Sequence, residues 1–249
     1  AILGRADISA PKGLPTMITA HAGFAAKGGS DDKSEDNTLD NMIKAINYGP
    51  DAIEVDVQSY DSDGDGVKEL WLGHDGVDLK TNPRLEDALK LLMGKHERSK
   101  ELNENGSTVR IQLDSKEDGN LDEILALIEK LNFPWDRIIL AGDNSYKHVM
   151  DNIVGIRAAV NKGMDFWMNP NFILSYKAMA DDMDSFLARI KALDLPRFTV
   201  NSSYGDITDA IKERFDKEGI NVSVWTLNST AAIQSNITRG MYNTTSRLL

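Results

Sequence analysis

The sequence contains no cysteine. Disulfides, thiol catalysis and cysteine-ligated zinc are therefore excluded. It has no apolar run near the roughly 20 residues that a membrane-spanning helix needs. Positive charge is in deficit, with 28 Lys and Arg against 39 Asp and Glu and a formal net charge of −11. Such a surface repels nucleic acid and anionic membrane, so neither is an expected partner. An anionic substrate would need local positive charge from a metal, a lysine or an arginine. No repeat, low-complexity tract or linker interrupts the 249 residues, and a single domain over 1–249 is expected.

What is present is an alternation of short apolar strands and amphipathic helices. "TMITAHAG" (16–23) reads as a strand, and "TLDNMIKAINYG" (38–49) as a helix with Leu39, Met42, Ile43 and Ile46 on one face. Strands are expected at 51–60, 68–75, 107–116, 136–143, 155–161, 197–203, 221–228 and 241–246. Helices are expected at 82–102, 120–132, 145–153, within 175–195, and at 206–219 and 230–240. "FWMNPNF" (166–172), with Trp167 and Phe172, reads as a loop at the rim of a pocket. About eight β–α units in roughly 250 residues imply a (β/α)8 TIM barrel.

"DAIEVDVQSY" (51–60) then becomes informative. Ile53, Val55 and Val57 suit the face packed on helices, so Glu54 and Asp56 point inward. "RIQLDSK" (110–116) repeats the pattern, with Gln112, Asp114 and Lys116 facing in. Neighbouring carboxylates repel each other unless a cation joins them. Glu54, Asp56 and Asp114 therefore form a candidate oxygen-ligand site for a divalent metal, Mg²⁺ or Ca²⁺. The alternative is a solvated or salt-bridged strand end.

The order of motifs resembles the glycerophosphodiester phosphodiesterase family. "AHAGF" (20–24) matches its first-strand histidine motif, and "SEDNTLDNMIKAINYGPDAIEVDV" (34–57) its next two segments. Within the latter, "EDNT" (35–38) places Asp36 where the family has Glu. "LGHDGVDLKT" (72–81) matches the His-Asp region, "LDSK" (113–116) the Glu-x-Lys motif, and "VWTLN" (224–228) the late tryptophan motif. The resemblance implies a TIM barrel and metal-dependent hydrolysis of a small-molecule phosphodiester. It implies Glu54, Asp56 and Asp114 as metal ligands, and His21 and His74 as the general acid/base pair. Lys116 would contact the phosphate, and Trp225 would pack on the alcohol. His96 and His148 lie on polar helical stretches and read as surface residues.

Besides Asp36, further features depart from the family pattern. Ala22 stands where the family has Arg, Asp114 where it has Glu, and the chain closes on "NTTSRLL". Lys116 is left as the matched cation, with Lys27 near in sequence. An Asp-x-Lys without the His-Arg pair is similar to the sphingomyelinase D/phospholipase D enzymes. Action on a phospholipid is therefore an alternative, as is a binding protein that keeps the metal site. "DSDGDGVKEL" (61–70) resembles the start of a calcium loop, with Asp61, Asp63, Asp65 and Glu69 as ligands; the other reading is an Asp/Gly-rich turn. The trimmed-looking start, this turn and the acidic surface lean to a periplasmic or secreted protein; a cytoplasmic one would look similar.

Overall fold

The computed structural model describes residues 16–23, 36–117, 119–142, 145–170 and 181–246. Lys27, Glu35, Phe172 and the expected helical residues 175–180 lie outside these, as do the last three residues of the chain.

The parallel strands are β1 (Met17–Ala20), β2 (Ala52–Tyr60), β4 (Arg110–Ser115), β5 (Ile138–Gly142), β6 (Asp165–Met168), β7 (Thr199–Ser203), β8 (Asn221–Leu227) and β9 (Asn243–Ser246). They run in the order β1-β9-β8-β7-β6-β5-β4-β2, and β1 pairs with β2 to close the barrel. β3 (Glu69–Leu72) lies antiparallel on the long far end of β2, making a hairpin beyond the barrel wall.

Helices cover the outside: α1 (Leu39–Tyr48), α2 (Leu85–Leu92), α3 (Leu121–Leu131), α4 (Tyr146–Asp151), α5 (Ile153–Asn161), α6 (Met183–Ala192), α7 (Asp209–Lys217) and α8 (Thr230–Thr238). Their ends follow local chemistry. Thr38 accepts a hydrogen bond from the Asn41 N–H at the start of α1, and Gly49 ends that helix at φ 84°, a left-handed conformation glycine adopts without strain. Asp182, Thr208 and Ser229 cap α6, α7 and α8 in the same way.

Period-two alternation divides each strand between two environments. Ile53, Val55, Val57, Ile111 and Leu113 belong to the main core between barrel and helices, fully buried. Each such side chain contributes about 1.5–3 kcal/mol on burial. The inward set forms a second, small apolar cluster of Ala52, Ile139, Ala141 and Trp167 at the barrel's centre. Above it the interior is polar, and Asn243 organises one side. Its carbonyl accepts from Thr19 Oγ1 (2.8 Å), and its amide donates to Ser223 Oγ (3.1 Å) and Thr245 Oγ1 (3.2 Å).

Three expectations fail. Residues 155–161 are helical, in α5, and not a strand. Ile156, Ala159 and Val160 are buried, a spacing of three and four that suits one helix face. The strand of this unit is β6, and Trp167 sits within it, fully buried, and not in a rim loop. The long helix expected at 82–102 stops at Leu92, and short 3₁₀ turns follow at Glu97–Glu101 and Glu104–Ser107. His96 caps the first of these turns, accepting from the Arg98 N–H.

Candidate active site

β2 and β4 run in register, pairing Glu54 with Gln112 and Asp56 with Asp114. That register brings the three carboxylates together at the C-terminal end of the barrel, with one oxygen from each within 4.8 Å of the others. Glu54 and Asp56 are each only 2% exposed. Lys116, just beyond β4, reaches back between them: its Nζ lies 2.9 Å from Asp56 Oδ1 and 2.6 Å from Asp114 Oδ2.

Two further groups fix the carboxylates. The Ala22 N–H donates to Glu54 Oε2 (2.5 Å). Asn37 grips Asp56 at two points: its amide donates to Oδ2 (2.7 Å), and its carbonyl accepts from the Asp56 N–H (2.8 Å). Asn37 sits at φ 58°, in the left-handed region that asparagine tolerates better than most residues. Its backbone N–H donates to the Ala22 carbonyl (2.9 Å), so the first-strand turn and the "DNT" segment hold one another.

The electrostatics are unequal. Burial, and then Asp56 and Asp114, push the Glu54 carboxyl well above the usual glutamate range. Burial acts on Asp56 in the same direction, but Lys116 and the Asn37 amide outweigh it and hold Asp56 below the usual aspartate range. Burial would lower Lys116; the three carboxylates overcome it and hold the ammonium above the usual lysine range. Three carboxylates against one ammonium leave a formal deficit of positive charge. The donors are all oxygen, converge closely and carry excess negative charge, which fits a hard divalent cation.

His21, Glu54, His74, Asp114, Lys116 and Trp225 line a single cavity of about 310 Å³. His21 opens the short 3₁₀ turn His21–Gly23 at the end of β1. His74 follows β3, so the hairpin beyond the wall delivers it over the mouth. Its Nδ1 lies 2.7 Å from Asp75 Oδ1, and its backbone carbonyl accepts from the Gln58 amide. Trp225 reaches the cavity from β8 and is partly exposed there. At the end of β5, Gly142 (φ 131°) lines the same space; a Cβ there would run into the Ser115 backbone.

All seven residues implied by the resemblance thus meet at one end of the barrel. Ala22 is 1% exposed, and its backbone, through Glu54, is what it contributes. Lys116 is the one lysine or arginine among the described residues lining the cavity. His148 lies elsewhere, its Nε2 accepting from the Gly119 N–H (2.9 Å). Asp61, Asp63 and Asp65 do gather in the β2–β3 turn, but Glu69 turns away to Arg84 (2.7 Å) and Ser62 (2.9 Å). The Asp61 carboxylate accepts from the N–H groups of Gly64 and Gly66, as in an Asp/Gly turn. Asn37 and Asn201 are site residues that the sequence reading did not single out. Asn37 could have been found within the "EDNT" motif; Asn201 carries no local signal.

No family model and no curated protein sequence matches the chain. Solved structures do. A glycerophosphodiester phosphodiesterase from Parabacteroides distasonis superposes with a TM-score of 0.63 at 16% identity, over 94% of this chain and 93% of that one. The fold is the one these phosphodiesterases adopt. A phosphodiesterase from Oleispira antarctica, in complex with the product sn-glycerol-3-phosphate, gives 0.61 at 17% identity over 93% and 92%. A calcium-dependent phosphoinositol-specific phospholipase C from a Gram-negative Pseudomonas sp. gives 0.51 at 11% identity over 93% and 88%. At these identities the likeness is one of fold, and function must be argued from the site.

Proposed function

We propose that this protein is a metal-dependent phosphodiesterase that splits glycerophosphodiesters into an alcohol and glycerol 3-phosphate. The observation that carries the reading is the cavity itself: two histidines, the Glu54 and Asp114 carboxylates and one ammonium line one space of about 310 Å³, with the Asp56 carboxylate converging on the other two. That volume is at the small end for ligand pockets and suits a small polar ester.

Glu54, Asp56 and Asp114 would hold the divalent ion. When bound, it would offset the negative charge that develops on the phosphoryl oxygens. Lys116 supplies the protein's own cation to the same oxygens. Of His21 and His74, one removes the proton from the attacking hydroxyl, either water or a neighbouring glycerol hydroxyl; the glycerol hydroxyl would give a cyclic phosphate first, which water then opens to glycerol 3-phosphate. The bond from the attacking oxygen to phosphorus forms as the bond to the departing alcohol breaks. The other histidine gives the departing oxygen its proton, so the pair ends with one proton exchanged. Imidazoles suit both tasks because they titrate near neutrality. Trp225 offers an apolar face with a polar edge to the alcohol.

Side-by-side assays of glycerophosphocholine and lysophosphatidylcholine test this, each with EDTA and then with added Mg²⁺ or Ca²⁺. Metal-restored hydrolysis of the first substrate, lost in His74→Ala, is the expected result. Hydrolysis of the lipid alone would move the reading to phospholipase D-like action, which Ala22 and Asp114 favour. No turnover of either, with metal still bound, would overturn both in favour of a binding role.

A further inference from the structure

Deeper in the same cavity lie two amides that the mechanism above does not use. Gln112 is level with Glu54 on the neighbouring strand and two residues below Asp114. Asn201 projects inward from β7, in register with Ser223 of β8. Both line the cavity, and they are only 2% and 5% exposed. The Gln112 Oε1 and Asn201 Oδ1 oxygens are shielded from solvent and accept no hydrogen bond.

Buried polar groups are nearly always paired, because leaving one unmet forfeits its hydration with nothing in return. This barrel can satisfy an interior amide: Asn243, fully buried nearby, has partners for both its carbonyl and its amide. Other buried polar atoms also go unmet, among them Asn120 Nδ2, Ser202 Oγ and Thr244 Oγ1, but of these residues Gln112 and Asn201 are the ones that line the cavity. Turning a terminal amide by half a rotation exchanges its acceptor and donor ends. Each side chain therefore offers either end to a group that enters the cavity. A hydroxyl, which both donates and accepts, meets that offer; an alkyl or acyl chain would bury both amides unmet. Neutral amides also add no charge beside a site already rich in carboxylates.

We propose that Gln112 and Asn201 are specificity residues, whose amides hydrogen-bond the free hydroxyls of a polyol group on the phosphate ester. They would select hydroxylated alcohols over alkyl ones. This deepens the phosphodiesterase reading and rests on it for the phosphate's place above the amides.

The test is calorimetric binding of sn-glycerol 3-phosphate and of propyl phosphate, which lacks the hydroxyls, in the presence of Mg²⁺ or Ca²⁺. Wild-type protein should bind the first about tenfold or more tightly than the second. Gln112→Met and Asn201→Leu should each remove most of that preference while leaving propyl phosphate affinity unchanged. Their thermal midpoints should stay at or above wild type, since each replaces an unmet acceptor with an apolar side chain. Should either replacement crowd the interior, Gln112→Ala and Asn201→Ala give the same comparison. Equal affinity of wild type for the two esters, binding of neither, or parallel weakening of both by the variants would overturn the proposal. Glycerophosphocholine turnover, measured separately, keeps the two readings apart. Discrimination without turnover leaves the amide assignment standing and removes the phosphodiesterase; turnover without discrimination does the reverse.

Discussion

At the floor of the barrel one carboxylate meets two guanidiniums; at its mouth three carboxylates meet one ammonium. Asp165, at the start of β6, lies 2.7 Å from Arg110 and 2.9 Å from Arg197, with Tyr242 donating to it at 3.4 Å. That cluster closes on itself. Arg197 also donates to the carbonyls of Gly163 and Met164 (2.6 and 3.2 Å), knitting the loop before β6 to the loop before β7. The mouth does not close on itself: Glu54 is pushed toward its protonated form, while Asp56 is held as a carboxylate. The two clusters share strand β4, one at each end of it. Barrel chemistry sits at the C-terminal ends of the strands, and stability is built at the other. The floor's surplus is one guanidinium, and Arg197 is half exposed to water, which screens it; the mouth's surplus of two carboxylates is largely buried and calls for a further ion or a substrate.

Substitutions at the two ends should therefore fail differently. The largest effect belongs to the mouth. His74→Ala should lower kcat about a hundred- to ten-thousandfold while leaving the urea midpoint unchanged. A fall in stability matching the fall in activity would erase the distinction. At the floor, Asp165→Asn strips two arginines of their carboxylate and should cost about 3–5 kcal/mol by urea denaturation. The folded fraction should keep its wild-type kcat.

Smaller effects sharpen the contrast. Asn37→Ala frees the Asp56 carboxylate from its orienting amide. It should weaken metal binding by about tenfold to a hundredfold in a calorimetric titration, as loss of a ligand's hydrogen-bond partner does.

The smallest is a pH effect on metal-free protein. Glu54 titrates above its ordinary 4.5 in the fold, so the stability it lends is present below that pH and lost as pH rises through the raised value. Asp56 runs the other way: its contribution is present above 3.8 and lost as pH falls through its lowered value. As pH rises above 4.5 toward that raised value the Glu54 penalty should grow, and the thermal shift produced by added Mg²⁺ or Ca²⁺ should grow with it. Glu54→Gln should flatten that trend and raise the metal-free midpoint by roughly 2–4 °C, the change that about 1 kcal/mol makes in a chain of this size.

Much of this site was legible because strand periodicity is short-range. In 51–60, alternation alone separates Ile53, Val55 and Val57 from Glu54 and Asp56, and the barrel keeps that separation. The misreading of 155–161 has an equally local cause. "GIRAAVN" is a short apolar run, and such runs fit a buried strand and a buried helix equally well. The true strand, β6, has four residues, too few to show a period. Trp167 was assigned to a rim loop for the same reason. The turn at 61–66 was ambiguous in a different way: acidic residues at alternate positions serve a turn's own N–H groups as readily as an ion.

By itself the sequence determined the alternation of elements, the inward carboxylates and the residues that resemble a phosphodiesterase site. Those are properties of neighbouring residues, fixed by a period of two or by a motif of a few positions. Tertiary structure alone decided which carboxylate carries the strain and which amides are left unmet. Glu54 is raised because closure of the barrel buries it and, second, sets it beside Asp56 and Asp114, while Lys116 bonds the other two. Asn243 is satisfied, whereas Gln112 and Asn201 are not, because partners for a buried amide come from strands far apart in sequence. Burial and pairing are pooled properties of the closed barrel, and no single strand contains them.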